Sequence, residues 1–194
     1  IDYLKERKVK VQAGHCLSIN GRETEAGTTS LIKNNMFPSK QPSTLLKVDG
    51  ATHTFNAMSG VTHRGTSAAL SALIHDEVYA EIIGDGVHVS DDALKLFFKA
   101  KPEDKVILIS DALPITYSDM KETVFADSKI YYDGDKATSA DGTIAGSTKL
   151  LPEIIKILGK KGMFKPRFIE NTYRYHGLEP MGEIEWDEDF NPRF

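Results

Sequence analysis

The stretch Ala80-Glu-Ile-Ile-Gly-Asp-Gly-Val-His-Val89 runs from an apolar segment into a polar turn, and it sets the pattern for the chain. Residues 79–83 are mostly apolar or β-branched, and Gly84 and Asp85 follow them, which predicts a buried strand that ends in a loop. Three further runs have the same character, at residues 9–13, 51–55 and 105–109. Helical patterns lie between the strands, so the sequence predicts an α/β fold with a parallel sheet.

The helical patterns differ in the faces that they bury. Residues 67–74 are small and apolar, whereas residues 91–99 follow Ser90, a plausible N-cap. In the second helix we expect one apolar face, made of Ala93, Leu94, Leu96, Phe97 and Phe98.

The chain after residue 111 changes character. Residues 112–147 contain the turn signals Asp133-Gly134 and Asp141-Gly142, which predict an insertion that bears hairpins. Helical patterns at 148–158 and 166–178 follow, and residues 182–186 return to a strand.

Composition excludes several classes of function. The 194 residues are 40% hydrophobic and 27% charged, with a formal net charge of -4 and no run of Lys or Arg. This balance is typical of a globular unit and argues against a nucleic-acid or membrane partner. Cys16 is the only cysteine, so no intrachain disulfide can form, and we expect a soluble cytoplasmic protein.

Polar and ionisable residues follow each predicted strand. They are Gly14-His15, His53 with Asn56, Asp85 with His88, and Ser110-Asp111. A (β/α) barrel builds its active site at the carboxyl ends of its strands. Histidines and a carboxylate at such a mouth supply metal ligands and a proton carrier for hydrolysis. The alternative is that each is a hydrogen-bonded core histidine, a loop residue or a helix cap.

Five ordered stretches carry a family resemblance. They are Ala13-Gly14-His15, Ala51-Thr-His-Thr-Phe-Asn-Ala-Met58, Ala80 to Val89 as quoted above, Ile109-Ser-Asp-Ala112 and Asp141-Gly-Thr-Ile-Ala-Gly-Ser147. Their types and order resemble the motif series of N-acetylglucosamine-6-phosphate deacetylases in the amidohydrolase superfamily. The resemblance implies hydrolysis of N-acetylglucosamine 6-phosphate to glucosamine 6-phosphate and acetate.

The resemblance also implies an architecture and a partner. The chain would be the carboxyl-terminal half of a metal-dependent hydrolase (β/α)8 TIM barrel, with a hairpin insertion and part of a small β domain. Residues 1–165 would form the second half of the barrel, including the insertion at 112–147. Residues 166–194 would form a terminal helix and the start of the β domain. We expect a homodimer.

Site residues follow from the matched motifs. His15 and His53 would bind a divalent metal that makes water nucleophilic, with zinc or iron favoured over cobalt or manganese. Asp111 would take the proton from that water and deliver it to the leaving amine. His88 would contact the substrate and polarise the amide carbonyl.

The remaining implied residues bind the sugar phosphate. Asn56, Ala57 and Arg64 match the phosphate-binding positions, and Ile144 lies in the last motif as a substrate contact. A guanidinium with neighbouring amide donors suits a phosphate dianion. An exposed arginine with no ligand is the alternative for Arg64.

The chain departs from the family pattern in three places. Gly65-Thr66-Ser67 follows Arg64 where relatives have Glu-Pro-Gly, and residues 31–49 hold extra sequence. The metal-binding glutamate of an earlier strand has no counterpart. We therefore expect an amino-terminal half that carries this third ligand, and we expect the 194 residues alone to be an incomplete catalyst.

Two other functions stay open at this point. One is a different barrel amidohydrolase that acts on a cyclic amide, although Asn56, Ala57 and Arg64 favour a phosphate. The other is a truncated chain without catalytic activity that binds sugar phosphate. The choice between glucosamine and galactosamine stereochemistry is open as well.

Overall fold

The structure is a computed structural model that describes residues 2–15, 48–64 and 67–193. Its helices are α1 (Asp2–Glu6), α2 (Ala68–Ile74), α3 (Asp91–Ala100), α4 (Leu151–Lys160) and α5 (Arg167–Tyr175), with a 3-10 turn at Glu103–Lys105. The first four strands are β1 (Gln12–Ala13), β2 (Gly50–Ala51), β3 (Tyr79–Ile83) and β4 (Val106–Ile109). The other six are β5 (Glu122–Phe125), β6 (Ser128–Tyr132), β7 (Ala137–Ser139), β8 (Ile144–Gly146), β9 (Glu185–Trp186) and β10 (Pro192–Arg193).

The first four strands form one sheet in the order β1-β2-β3-β4. β1 pairs with β2 and β2 with β3 in parallel, and the register aligns Ala13, Ala51 and Ala80. Each of these alanines is buried. The α/β prediction is therefore confirmed. The barrel closure remains a prediction.

A second, antiparallel sheet lies within the predicted insertion, in the order β5-β6-β7-β8. Gly134 and Gly142 occupy its two Asp-Gly turns with φ values of 107° and 85°, a region that glycine enters without strain. The sheet packs on a small apolar cluster that contains Leu113, Ile115 and Ile130. The turn signals in the sequence thus predicted the hairpins correctly.

The chain divides into two compact units, and the division falls within β3, α3 and β4. The first unit contains the described residues up to Ile82, with Leu96–Ile107 and Pro166–Pro180. The second contains Ile83–Lys95, Leu108–Lys165 and the described residues from Met181 onward. The predicted domain boundary at residue 165 remains a prediction.

Buried polar side chains hold the first unit together. Asn171 of α5 is fully buried, and its Nδ2 donates to the carbonyl oxygens of Glu103 and Val106 at 2.8 Å and 2.7 Å. Lys101 is 2% exposed, and its Nζ donates to the carbonyl oxygens of Ala72 and His75 at the end of α2. These contacts satisfy helix-terminal and strand carbonyls that burial would otherwise leave without donors.

The second unit depends on a close approach between a glycine and a helix. A Cβ added at Gly84 would lie 2.6 Å from Leu158 Cδ1 of α4, so only glycine allows this packing without a shift. Leu158 is completely buried, together with Ile154 one turn earlier. The chain that leaves β3 is thereby fixed against α4 immediately before Asp85.

Some helix details differ from the sequence prediction. Leu96, placed on the apolar face of α3, is 44% exposed, whereas Leu94 and Phe97 are fully buried as expected. The helix predicted from residue 148 begins at Leu151, with Pro152 in its first turn, where proline is well tolerated. Among the described residues, none of the helices combines the length and the apolar character that a bilayer crossing requires.

Candidate active site

The turn after β2 carries the first group of predicted site residues. Thr52 N donates to the Ala13 carbonyl oxygen at 2.8 Å, and Thr54 N donates to the Glu81 carbonyl oxygen at 2.8 Å. His53 therefore lies between two residues that are bonded to the neighbouring strands β1 and β3. Its own N–H donates to Glu81 Oε2 at 3.4 Å. The sheet thus fixes the backbone from which the His53 imidazole projects.

The structure brings His15 and His53 together. Their ring centroids are 4.8 Å apart and the ring planes meet at 69°. His53 is 8% exposed, and its Nδ1 has no hydrogen-bond partner among the described residues. A buried polar atom without a partner costs about 1–3 kcal/mol. Two imidazoles at this separation, one with an unsatisfied nitrogen, fit part of the ligand set of a divalent metal.

The backbone at several predicted site residues is strained. His15, His53, Ala57 and Asp111 have φ values of 52°, 35°, 48° and 50°. Residues other than glycine rarely adopt this left-handed region, at a cost of order 1–3 kcal/mol each. Such strain persists where the surrounding structure imposes it, and it concentrates at functional sites. Four of the predicted site residues therefore share a feature that sequence patterns do not reveal.

The predicted phosphate-binding residues lie in or beyond the same turn. Asn56 donates to the His53 carbonyl oxygen from its backbone N at 2.9 Å and from Nδ2 at 3.3 Å. Ala57 is exposed, and so is Arg64, whose backbone N donates to Thr62 Oγ1 at 3.4 Å. Asn56 is thus tied directly to His53, while Arg64 presents an exposed guanidinium.

His88 belongs to the second unit, in the turn that follows β3. Asp85 is 4% exposed, and its Oδ2 lies 2.8 Å from His88 Nδ1. Its Oδ1 accepts from the backbone N–H groups of Val87 and His88, both at 2.9 Å. Burial acts to raise the pKa of Asp85, but the hydrogen bonds from His88 and from the two backbone N–H groups hold it below the ordinary value.

Asp111 also lies in the second unit, just beyond β4. Its carbonyl oxygen accepts from Ser147 N at 2.9 Å, and Leu113 N donates to the Ser147 carbonyl oxygen at 2.9 Å. Ala112 and Ser147 form a parallel bridge, so the fourth and fifth sequence motifs lie side by side. The Asp111 side chain is exposed. Ile144 in β8 is 37% exposed and pairs with Thr138.

The structure groups some predicted residues and separates others by unit. His15, His53, Asn56, Ala57 and Arg64 belong to the first unit, and His88, Asp111 and Ile144 to the second. No group of three His, Cys, Asp or Glu side chains suited to a metal occurs within residues 2–15, 48–64 and 67–193. Cys16 and most of the extra segment at 31–49 lie outside those ranges.

Two site features were missed from sequence. Asp85 was grouped with other polar residues and given no role, although its position three residues before His88 after a glycine is a signal for a tight side-chain contact. Glu81 sits inside β3, where strand alternation alone gave no reason to connect it with His53.

Comparison with known proteins shows which proteins this chain resembles. The chain is 40% identical over 98 residues to N-acetylglucosamine-6-phosphate deacetylase of Bacillus subtilis (strain 168), across 50% of this chain and 24% of that protein. It is 33% identical over 98 residues to N-acetylgalactosamine-6-phosphate deacetylase of Shewanella sp. (strain ANA-3), across 50% of this chain and 25% of that protein. Both of these relatives are named as amino-sugar-6-phosphate deacetylases.

A solved deacetylase has a similar fold over three quarters of this chain. The structure of N-acetylglucosamine-6-phosphate deacetylase from Thermotoga maritima matches with a TM-score of 0.67 and 25% identity, across 75% of this chain and 44% of that one. No family model matches the chain. The chain spans about a quarter of the two curated deacetylases named above and less than half of the solved one.

Proposed function

We propose that this chain supplies metal-binding, proton-transfer and substrate-binding residues of an enzyme that deacetylates N-acetylglucosamine 6-phosphate in amino-sugar catabolism. The observation that carries the proposal is the pair of imidazoles of His15 and His53, 4.8 Å apart, with a buried nitrogen that lacks a partner among the described residues. The deacetylase relatives support the choice of reaction. The products are glucosamine 6-phosphate and acetate.

His15 and His53 would hold the divalent ion, zinc or iron by preference. When bound, such an ion makes water nucleophilic near neutral pH and polarises a carbonyl. The third ligand would come from an amino-terminal half that carries a glutamate. We propose a homodimer in the cytoplasm as the working form.

Asp111 would carry the proton. Its exposed carboxylate takes a proton from the attacking water and returns it to the nitrogen of the departing amine, as a general base and then a general acid. Ser147 N donates to the Asp111 carbonyl oxygen, and this bond fixes the backbone from which the carboxylate projects. With its ring protonated, His88 would donate a hydrogen bond to the acetamide oxygen as negative charge develops on it.

Substrate recognition would fall to the phosphate and sugar contacts. Arg64 would pair with the phosphate, and Asn56 and Ala57 would add donors beside it. Ile144 would contact the sugar. Phosphate recognition distinguishes this proposal from hydrolysis of a cyclic amide, which has no phosphate to bind.

Metal content tests the proposal directly. The complete protein is purified as wild type, as His15→Ala, as His53→Ala and as His176→Ala, an exposed histidine that serves as the control. We expect the first two variants to lose bound metal and acetate release together, and the control to keep both. Stoichiometric metal in a His15→Ala/His53→Ala double variant, measured by elemental analysis, would refute the assignment.

Acetate release tests the substrate. The complete wild-type protein is assayed with N-acetylglucosamine 6-phosphate, its galactosamine epimer and unphosphorylated N-acetylglucosamine, with and without a chelator. We expect turnover of a phosphorylated sugar that the chelator abolishes. Absence of acetate from all three sugars in a protein with bound metal would overturn the proposed function.

A further inference from the structure

The turn that follows β3 contains a carboxylate whose two oxygens have different partners. Asp85 Oδ1 accepts from the backbone N–H groups of Val87 and His88, at 2.9 Å each. Asp85 Oδ2 instead faces the His88 ring, 2.8 Å from Nδ1. One oxygen therefore holds the backbone of the turn and the other contacts the imidazole.

The Asp85 carboxylate is buried, and both of its oxygens have hydrogen-bonding partners. The Asp85 and His88 side chains are 2% and 7% exposed. Two backbone N–H donors on Oδ1 favour the ionised form, and an ionised carboxylate has no proton to give. The proton in the contact with His88 must therefore belong to Nδ1.

A fixed proton on Nδ1 restricts what His88 can do. In the neutral ring Nε2 has only a lone pair, and in the charged ring Nε2 carries a hydrogen that it can donate. The only nitrogen of His88 that is left for a substrate is Nε2. Since the ring also cannot rotate away from Oδ2 without losing a bond, the direction of Nε2 is set as well.

We propose that Asp85 is a positioning residue for His88, which keeps a proton on Nδ1 and aims Nε2 at the acetamide oxygen, to which Nε2 donates when the ring is protonated. The proposal rests on the function proposed above, because it assumes that His88 contacts the acetamide. A residue that only stabilised the turn would need Oδ1 alone. The turn itself does not require the contact between Asp85 Oδ2 and the imidazole of His88.

The division between the two oxygens allows a selective substitution. In Asp85→Asn the amide oxygen can keep both backbone N–H bonds, since placing the amide NH2 there would bring donors against donors. The NH2 group then faces His88 Nδ1 and donates to it. The neutral ring must move its proton to Nε2, so the variant reverses the tautomer while it keeps the turn.

The first experiment reads the tautomer without any substrate. Long-range 1H–15N spectra of ring-labelled histidine are recorded on the complete protein, and His88→Gln identifies the His88 signals. We expect a proton on Nδ1 in the wild type and on Nε2 in Asp85→Asn, with unchanged backbone amide signals for Val87. A wild-type ring with its neutral proton on Nε2 would overturn the proposal whether or not the protein has deacetylase activity.

The second experiment reads the consequence for acetate release. We expect Asp85→Asn to lower kcat about 10-fold to 100-fold with KM changed much less, because an amide NH2 facing Nδ1 disfavours the protonated ring and leaves only the weaker Nε2–H donor of the neutral ring. In a His88→Gln background the same substitution should have no further effect, because the imidazole through which Asp85 acts is already absent. An equal loss in both backgrounds would show that Asp85 acts through something other than His88.

The two experiments separate failure of this inference from failure of the proposed function. A normal tautomer reversal in a protein that releases no acetate would leave the Asp85 contact intact and refute the reaction. Acetate release that Asp85→Asn does not change would leave the reaction intact and refute the positioning role.

Discussion

The buried ammonium of Lys101 makes a specific prediction about stability and pH. Burial lowers the pKa of Lys101 from 10.5 to about 8, and the attraction of Asp76 and Glu77 does not offset it. The unfolded chain keeps the proton up to pH 10.5, so between these values the unfolded state binds more protons than the folded state. The free energy of unfolding must therefore rise with pH across this window.

The size of the effect follows from the difference in pKa. At 1.36 kcal/mol per pH unit, the shift corresponds to about 3 kcal/mol, a cost that is present in full below pH 8. Roughly 2 to 3 kcal/mol of it should be relieved between pH 7 and pH 10. The two carbonyl contacts at 2.8 Å and 2.6 Å persist after deprotonation, because a neutral amine still donates.

Urea unfolding at pH 7 and pH 10, followed by circular dichroism of the whole chain, measures this change. Other groups titrate in the same range, so the wild type is compared with Lys101→Met, which removes the ammonium. Lys99→Met, an exposed lysine in the last turn of α3, is the matched control. We expect Lys101→Met alone to remove the rise. An equal rise in wild type and Lys101→Met would refute the reasoning.

Two predictions concern the proposed reaction. Asp111→Asn should reduce kcat by roughly 100-fold or more while metal content stays normal. Its control is Asp119→Asn, which changes another exposed carboxylate. Near-normal turnover in Asp111→Asn would show that Asp111 does not transfer the proton. Arg64→Ala should weaken binding of the phosphorylated sugar by about 1.5–3 kcal/mol, as isothermal titration would measure. Equal losses for the unphosphorylated sugar would place Arg64 outside a phosphate site.

Local patterns predicted the starts of two helices correctly, whereas the strand expected at 51–55 is confined to Gly50–Ala51. Ser67 Oγ accepts from Leu70 N at 3.2 Å and Ser90 Oγ accepts from Ala93 N at 3.3 Å, so both serines begin helices where their chemistry indicates. Short-range rules suffice there because the cap and its partner are three residues apart. The same holds for the Asp-Gly turns of the antiparallel sheet.

Contacts between residues that are far apart in the sequence could not be predicted from local patterns. Lysine is usually exposed, so no sequence pattern indicates that Lys101 is buried against the end of α2. Leu96 is expected on the apolar face of α3, yet it is 44% exposed. Nothing local connects Asp111 with Ser147, because that pairing depends on how the intervening hairpins fold. The site residues that the motif order indicates remain predictions, and only the coordinates show their contacts.

His15, His53 and Asp111 have left-handed backbone conformations that destabilise the fold. The same three positions carry the side chains that the proposed chemistry needs. Glycine at any of these positions would relieve the strain and remove the imidazole or the carboxylate in the same step. A library of variants sorted only for thermal resistance would therefore drift toward glycine at these codons and lose the proposed metal-binding and proton-transfer side chains as it improved. Because the proposed function requires a bound metal, selection schemes for robust forms of this protein need metal retention as a second criterion, applied in every round.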